Sequence, residues 1–102
     1  MPQREKQYTL SQLQEAICLA SGIEIGQLFS RNKGLSHTMA RGVVYMLARE
    51  YGHLFCEIAN YTNRHHSTCV NVSKRFEGYY EVGDVAVHRI VGKVKEILNN
   101  KN

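Results

Sequence analysis

Between Arg64 and Phe76 the chain sets side chains that hydrogen-bond in both directions beside side chains of fixed positive charge. His65, His66, Ser67 and Thr68 form an unbroken run, Asn71 follows, and Lys74 and Arg75 close the segment. Imidazoles, hydroxyls and a carboxamide can donate or accept hydrogen bonds, and the Thr68 methyl can pack on the C5-methyl of thymine. The run therefore suits the reading of base edges in a DNA groove. Lys74 and Arg75 suit phosphates, and no acid occurs between Glu57 and Glu77 to repel them. Two other chemistries fit less well. Adjacent residues such as His65 and His66 rarely converge on one ion, so no metal is expected. Cys69 and His66 stand at i, i+3, as a nucleophile pair would, but Cys69 falls on the expected inner face of a helix, where a thiol is inert. No catalytic residue and no cofactor is expected, and the chain does not read as an enzyme.

These side chains need elements to present them. A short apolar segment from Leu54 to Tyr61 precedes them, Thr62-Asn63-Arg64 makes a turn, and a helix should run from about His65 to Tyr80 with Cys69, Val72 and Phe76 inward. Short helix, tight turn, longer helix is the order of a helix-turn-helix, whose second helix enters the major groove with its N-terminal residues against the bases. Upstream, Thr9 can cap a first helix, with Gln12 completing a capping box. Leu10, Leu13, Ile17 and Ala20 recur at helical spacing, and Gly22 suits the end. Ile25, Leu28 and Phe29 suggest a short second helix, and Ser30 to Gly34 a basic loop holding Arg31 and Lys33. A third helix is expected from Ser36 to about Tyr51, with Met39, Val43, Met46, Leu47 and Tyr51 as its apolar stripe and Gly52 as its stop. Asp84 is a plausible N-cap for a last helix carrying Val87, Ile90, Val91, Val94, Ile97 and Leu98, before a polar tail that frays from Asn99. No strand-like alternation appears. The fold class is all-α, about six helices, with an N-terminal arm over 1–8, a single domain over 9–99 and a tail over 100–102.

Composition narrows the function. A chain of 102 residues, 43% of them hydrophobic, can bury one modest core. No apolar run approaches the ~20 residues needed to cross a bilayer, so no membrane partner is expected and the cytoplasm is the expected compartment. Cys18, Cys56 and Cys69 are odd in number and fit no short metal-ligand spacing, which makes them buried free thiols by expectation. Tyr45, Tyr51, Tyr79 and Tyr80 read as core or core-edge residues, and His37, His53 and His88 as isolated and partly exposed. The net charge of +4 is unevenly spread. From Ser30 to Phe76 there are seven basic residues (Arg31, Lys33, Arg41, Arg49, Arg64, Lys74, Arg75) against Glu50 and Glu57, while the flanks hold six basic and seven acidic residues. Positive charge gathered in the middle of the chain is the footprint of a phosphate-binding surface.

The stretch from Thr62 to Phe76, TNRHHSTCVNVSKRF, resembles the signature GGRDHSTVLHAVRKI of the C-terminal DNA-binding domain (domain IV) of the bacterial initiator DnaA, a Trp-repressor-like helix-turn-helix. Arg64, His66, Ser67 and Thr68 match its RxHST positions, and Lys74-Arg75-Phe76 its basic pair plus apolar residue. Ala40 to Glu50, ARGVVYMLARE, is similar to the family's PRQIAMYLARE. Thr9 to Ile17 resembles the helix that opens that domain, Ser21-Gly22-Ile23 its FGV, and Leu28-Phe29-Ser30 its LLS. The likeness spans about residues 8 to 98. It implies binding of double-stranded DNA, with His66, Ser67 and Thr68 at base edges, His65 at the family's Asp position and Asn71 where the family places a groove-facing His. It also implies that Arg41 contacts backbone or bases, that Arg49 and Arg75 contact phosphate, and that Arg31 and Lys33 lie in a minor-groove loop. Arg64 and Lys74 join the phosphate set.

The departures carry weight. His65 stands where the family has an acceptor-only carboxylate, which implies a different base preference. Gly42 replaces a Gln beside Arg41, and Thr62-Asn63 replaces Gly-Gly. No Gly-rich loop followed by Lys-Ser/Thr is present, so no nucleotide is expected and the initiator's ATPase is missing. The chain then reads as a free-standing domain or a piece of a longer protein, serving replication, transposition or transcription control. Two alternatives stand beside DNA binding. One is a protein-interaction module, as a homo-oligomer or with a larger partner, which would show a hydrophobic outer face on the helix from His65. The other is a ligand-responsive repressor, which would be a dimer with a pocket against that helix.

Overall fold

The computed structural model describes residues 8–30 and 34–100, and among them every regular element is helical. Helix α1 spans Leu10–Ser21, a single 3-10 turn spans Ile25–Gln27, and α2 spans Leu35–Glu50. Helices α3 (Phe55–Thr62), α4 (His66–Glu81) and α5 (Val85–Asn100) follow. The expected class and the expected order of elements are both present. The 3-10 turn stands where a short second helix was expected, and Leu28 beyond it is fully buried.

Local chemistry sets the ends. Thr9 Oγ1 accepts from the Gln12 amide at 3.1 Å while Gln12 Oε1 accepts from the Thr9 amide at 2.8 Å, the reciprocal capping of two otherwise orphan donors. Gly22, at φ 76°, supplies the left-handed residue that stops α1, and its amide donates to Cys18. Asp84 Oδ1 accepts from the Val87 amide at 3.1 Å and so caps α5. Asn63 takes the left-handed conformation at φ 55°, tolerable for Asn, and turns the chain from α3 into α4.

The core is built around α2. Every residue from Gly42 to Ala48 is buried, so the expected one-sided stripe is replaced by a helix covered on all sides. The reason is tertiary: α1, α3, α4 and α5 all pack against it, and a helix enclosed in this way has no face that must be polar. Helix α5 lays Val87, Val91, Val94 and Leu98 inward and packs chiefly along α1, which contributes Leu13, Ala16 and Ile17. Where α2 meets α4, a Cβ at Gly42 would overlap the Phe76 ring. The missing side chain lets the ring close that gap.

Several expectations are corrected or narrowed. His53 is buried, 4% exposed, because its ring Nε2 faces the Tyr8 carbonyl at 2.6 Å; a carbonyl only accepts, so that nitrogen carries the proton. Tyr8 accordingly packs edge-on against Tyr51, ring centroids 5.0 Å apart, instead of lying in a loose arm. Of the two positions open to Tyr79 and Tyr80, core or core edge, they take the outer one: both are exposed, one edge-on to Phe76 and the other stacked on His88 at 4.1 Å. Cys56 is exposed and Cys18 half-buried, leaving Cys69 as the buried thiol. Helix α5 also continues through Asn99 and Asn100, which the sequence assigns to the tail.

Candidate functional site

Helix α4 presents its polar residues as a stripe. At ~100° per residue, Thr68, Asn71 and Arg75 fall within roughly 60° of one another, with Ser67 and Lys74 alongside. All five are exposed, as are His65 and His66, while Cys69, Ser73 and Phe76 are buried on the other side. Burial raises the Cys69 thiol above its ordinary pKa, which keeps it protonated and unreactive. His65 is the N-cap residue and makes no side-chain capping bond.

Three elements converge on the start of α4. The Arg64 guanidinium, in the turn, donates to the Phe29 carbonyl at 2.7 Å and to the Ser30 carbonyl at 3.3 Å. Arg41, on the first turns of α2, donates through Nε to the Leu28 carbonyl and through Nη2 to the Ser30 carbonyl at 2.7 Å. Two cations from distant parts of the chain thus hold one loop strand against the turn. Burial, and then the neighbouring charge of Arg64, lower the Arg41 pKa. Tyr45 lies behind this cluster with its hydroxyl pKa raised by burial, the nearby arginines pulling the other way.

On the other flank, Phe55 joins Arg49 to His66. The Arg49 guanidinium carbon sits 4.7 Å from the Phe55 ring centroid, and the His66 ring meets the same ring edge-on at 6.0 Å. Arg49 also donates to the His53 carbonyl at 3.1 Å, which fixes the direction of its side chain. The aromatic body of Phe55 therefore brings a cation from α2 beside the first residue of α4, a cation–π arrangement.

The residues singled out from sequence are thus placed as follows. His65, His66, Ser67, Thr68, Asn71, Lys74 and Arg75 share an exposed helix start and stripe; Arg49 joins them through Phe55; Arg41 and Arg64 are half-buried and engaged with loop carbonyls. Arg31 and Lys33 lie outside the described residues. Sequence reasoning passed over Phe55 and Phe29 as positioning residues. An aromatic residue at the first position of a short helix was the available signal for Phe55, whereas the carbonyls of Leu28, Phe29 and Ser30 leave no signal in a sequence. Among the described residues no cluster of three or more His, Cys, Asp or Glu side chains could hold a metal ion, and no helix is long and apolar enough to cross a membrane. No protein-family model, no curated protein and no solved structure matches this chain.

Proposed function

We propose that this chain binds duplex DNA with a sequence preference and without catalysis, using α3, the turn and α4 as a helix-turn-helix with α4 in the major groove. The observation that carries the reading is the stripe on α4: hydrogen-bonding side chains at its start, cations further along, all exposed, and no acid before Glu77. The hydrophobic outer face that a protein-interaction module would need is not what this surface offers. The likeness of Arg64, His66, Ser67 and Thr68 to the signature of DnaA domain IV supports the same reading.

In this reading His65, His66, Ser67, Thr68 and Asn71 set sequence preference, and Lys74, Arg75 and Arg49 supply phosphate contacts. Arg41 and Arg64 act chiefly by holding the loop that leads to Arg31 and Lys33. The test is selection of binding sites from a random duplex pool, followed by titration of the enriched duplex at rising salt. An enriched sequence whose log affinity falls linearly with log salt, by about 0.9 per phosphate neutralised, is expected. Failure to enrich any sequence, or an affinity flat in salt, overturns the reading.

A further inference from the structure

Helix α4 begins with two imidazoles, His65 at its N-cap and His66 at its first turn, both exposed. Imidazole is the side chain whose charge changes between about pH 5 and 8. The two rings are held differently. His66 meets the Phe55 ring edge-on, centroids 6.0 Å apart, whereas His65 makes no side-chain capping bond.

The charged groups of the elements around His66 are either positive or engaged elsewhere. On α2, Arg49 lies over the same Phe55 ring, its guanidinium carbon 4.7 Å from the centroid, and Glu50 is turned to Lys95 at 3.5 Å. On α3, Glu57 accepts from the Leu54 amide at 2.9 Å, and Cys56 carries an exposed thiol. In the turn, Arg64 donates to the Phe29 and Ser30 carbonyls. On α4 itself the first acid is Glu77, about three turns further on. Among the described residues no carboxylate pairs with His66. The ring thus has a cation for a neighbour and no anion, at the end of a helix whose unpaired N–H groups form the positive pole of its dipole.

A docked duplex reverses those surroundings. Its phosphates are anions, and opposite charge within roughly 4–6 Å favours the protonated imidazole. Its major groove adds the N7 and O6 acceptors of guanine, which only a donor can meet. We infer that His66 takes up a proton as duplex DNA docks, so that the domain holds DNA more tightly as pH falls through the imidazole range. This rests on the proposed binding of duplex DNA by α4 and adds a regulator to it. The complex then holds one more proton than its separate parts. The gain is complete at pH values where the free ring is already charged, and it disappears as pH rises past the titration of the bound ring.

The test is the affinity of the selected duplex, measured by fluorescence anisotropy at constant ionic strength from pH 5.5 to 8. NMR of the His66 ring protons is followed over the same range, with and without the duplex. Binding about tenfold tighter at pH 5.5 than at pH 8 is expected, which corresponds to a titration displaced by about one pH unit. H66Q should flatten the profile to within about twofold of constant, H65Q should keep it, and His66 should titrate at higher pH in the complex than in the free domain. If H66Q binds too weakly to measure, the NMR comparison decides, and a His66 titration that the duplex does not move overturns the inference. Melting temperatures at each pH will show that the fold, with its buried His53, is intact. Binding that weakens with salt but is flat in pH, or a pH profile that survives H66Q, overturns the inference and leaves DNA binding standing. Absence of binding at every pH overturns both.

Discussion

Two groups of cations in this domain have opposite fates. Arg41 and Arg64 turn inward and spend N–H groups on the carbonyls of Leu28, Phe29 and Ser30, whereas Lys74 and Arg75 stand in solvent on α4. All four are basic and all four lie in the basic middle of the chain. What separates them is their neighbours. A loop that leaves its carbonyls near a helix turn without a partner needs donors there, and arginine, with five N–H groups in a fixed fork, supplies several at once. The outer face of α4 has no such demand, so its cations remain available to a ligand. Positive charge in a sequence marks a candidate surface; it does not say which charges are free.

The comparison can be broken at several levels. The largest effect is expected from Gly42→Val, which drives a branched side chain into the Phe76 ring beneath both groups. It should destabilise the domain by about 3 kcal/mol, the upper range for overpacking a core. Urea unfolding will check it, and a variant as stable as the parent would mean that α2 and α4 do not cross as described. Next come Arg41→Ala and Arg64→Ala. Each removes charged hydrogen bonds to half-buried carbonyls and should cost ~1–3 kcal/mol, lowering the melting temperature by several degrees. No change in either would place these arginines in the same class as Lys74.

Lys74→Ala and Arg75→Ala should behave in the opposite way, with stability changes within about 0.5 kcal/mol, as for surface positions away from specific contacts. On the proposed function each weakens binding to every duplex and lowers the salt slope by about one. Thr68→Ala should instead cost ~1–3 kcal/mol on the preferred duplex and little on others. Uniform loss across sequences would move Thr68 from base reading to backbone contact. The smallest effect concerns the inner side of α4. The Cys69 pKa is raised, so less thiolate is present at any given pH, and alkylation at pH 8 should modify the exposed Cys56 well before Cys69. Mass spectrometry of a time course will show the order, and early labelling at Cys69 would indicate that α4 opens from the core.

Legibility from sequence followed the range of the interaction. The capping of α1 by Thr9 and Gln12, the stop at Gly22 and the cap at Asp84 are contacts within three or four residues, and their residue types announce them. The polar stripe on α4 was equally readable, since helical spacing alone decides which of Thr68, Asn71 and Arg75 share a face. His53 was misread as partly exposed because its partner is the carbonyl of Tyr8, 45 residues away. Tyr79 and Tyr80 were read as core or core-edge, and it is the edge they occupy, one against Phe76 and the other against His88; spacing alone could not choose between the two.

By itself, then, the sequence determined that the chain is helical, how α1 is capped and stopped, where α5 starts, and which residues line the exposed side of α4, because periodicity and end-capping act over a few residues. Tertiary structure alone decided that α2 is enclosed on every side, that Gly42 yields its place to Phe76, and that Arg41 and Arg64 are drawn onto the loop. Each of those outcomes depends on backbone carbonyls and side-chain volumes arriving from remote parts of the chain, and no local pattern encodes them.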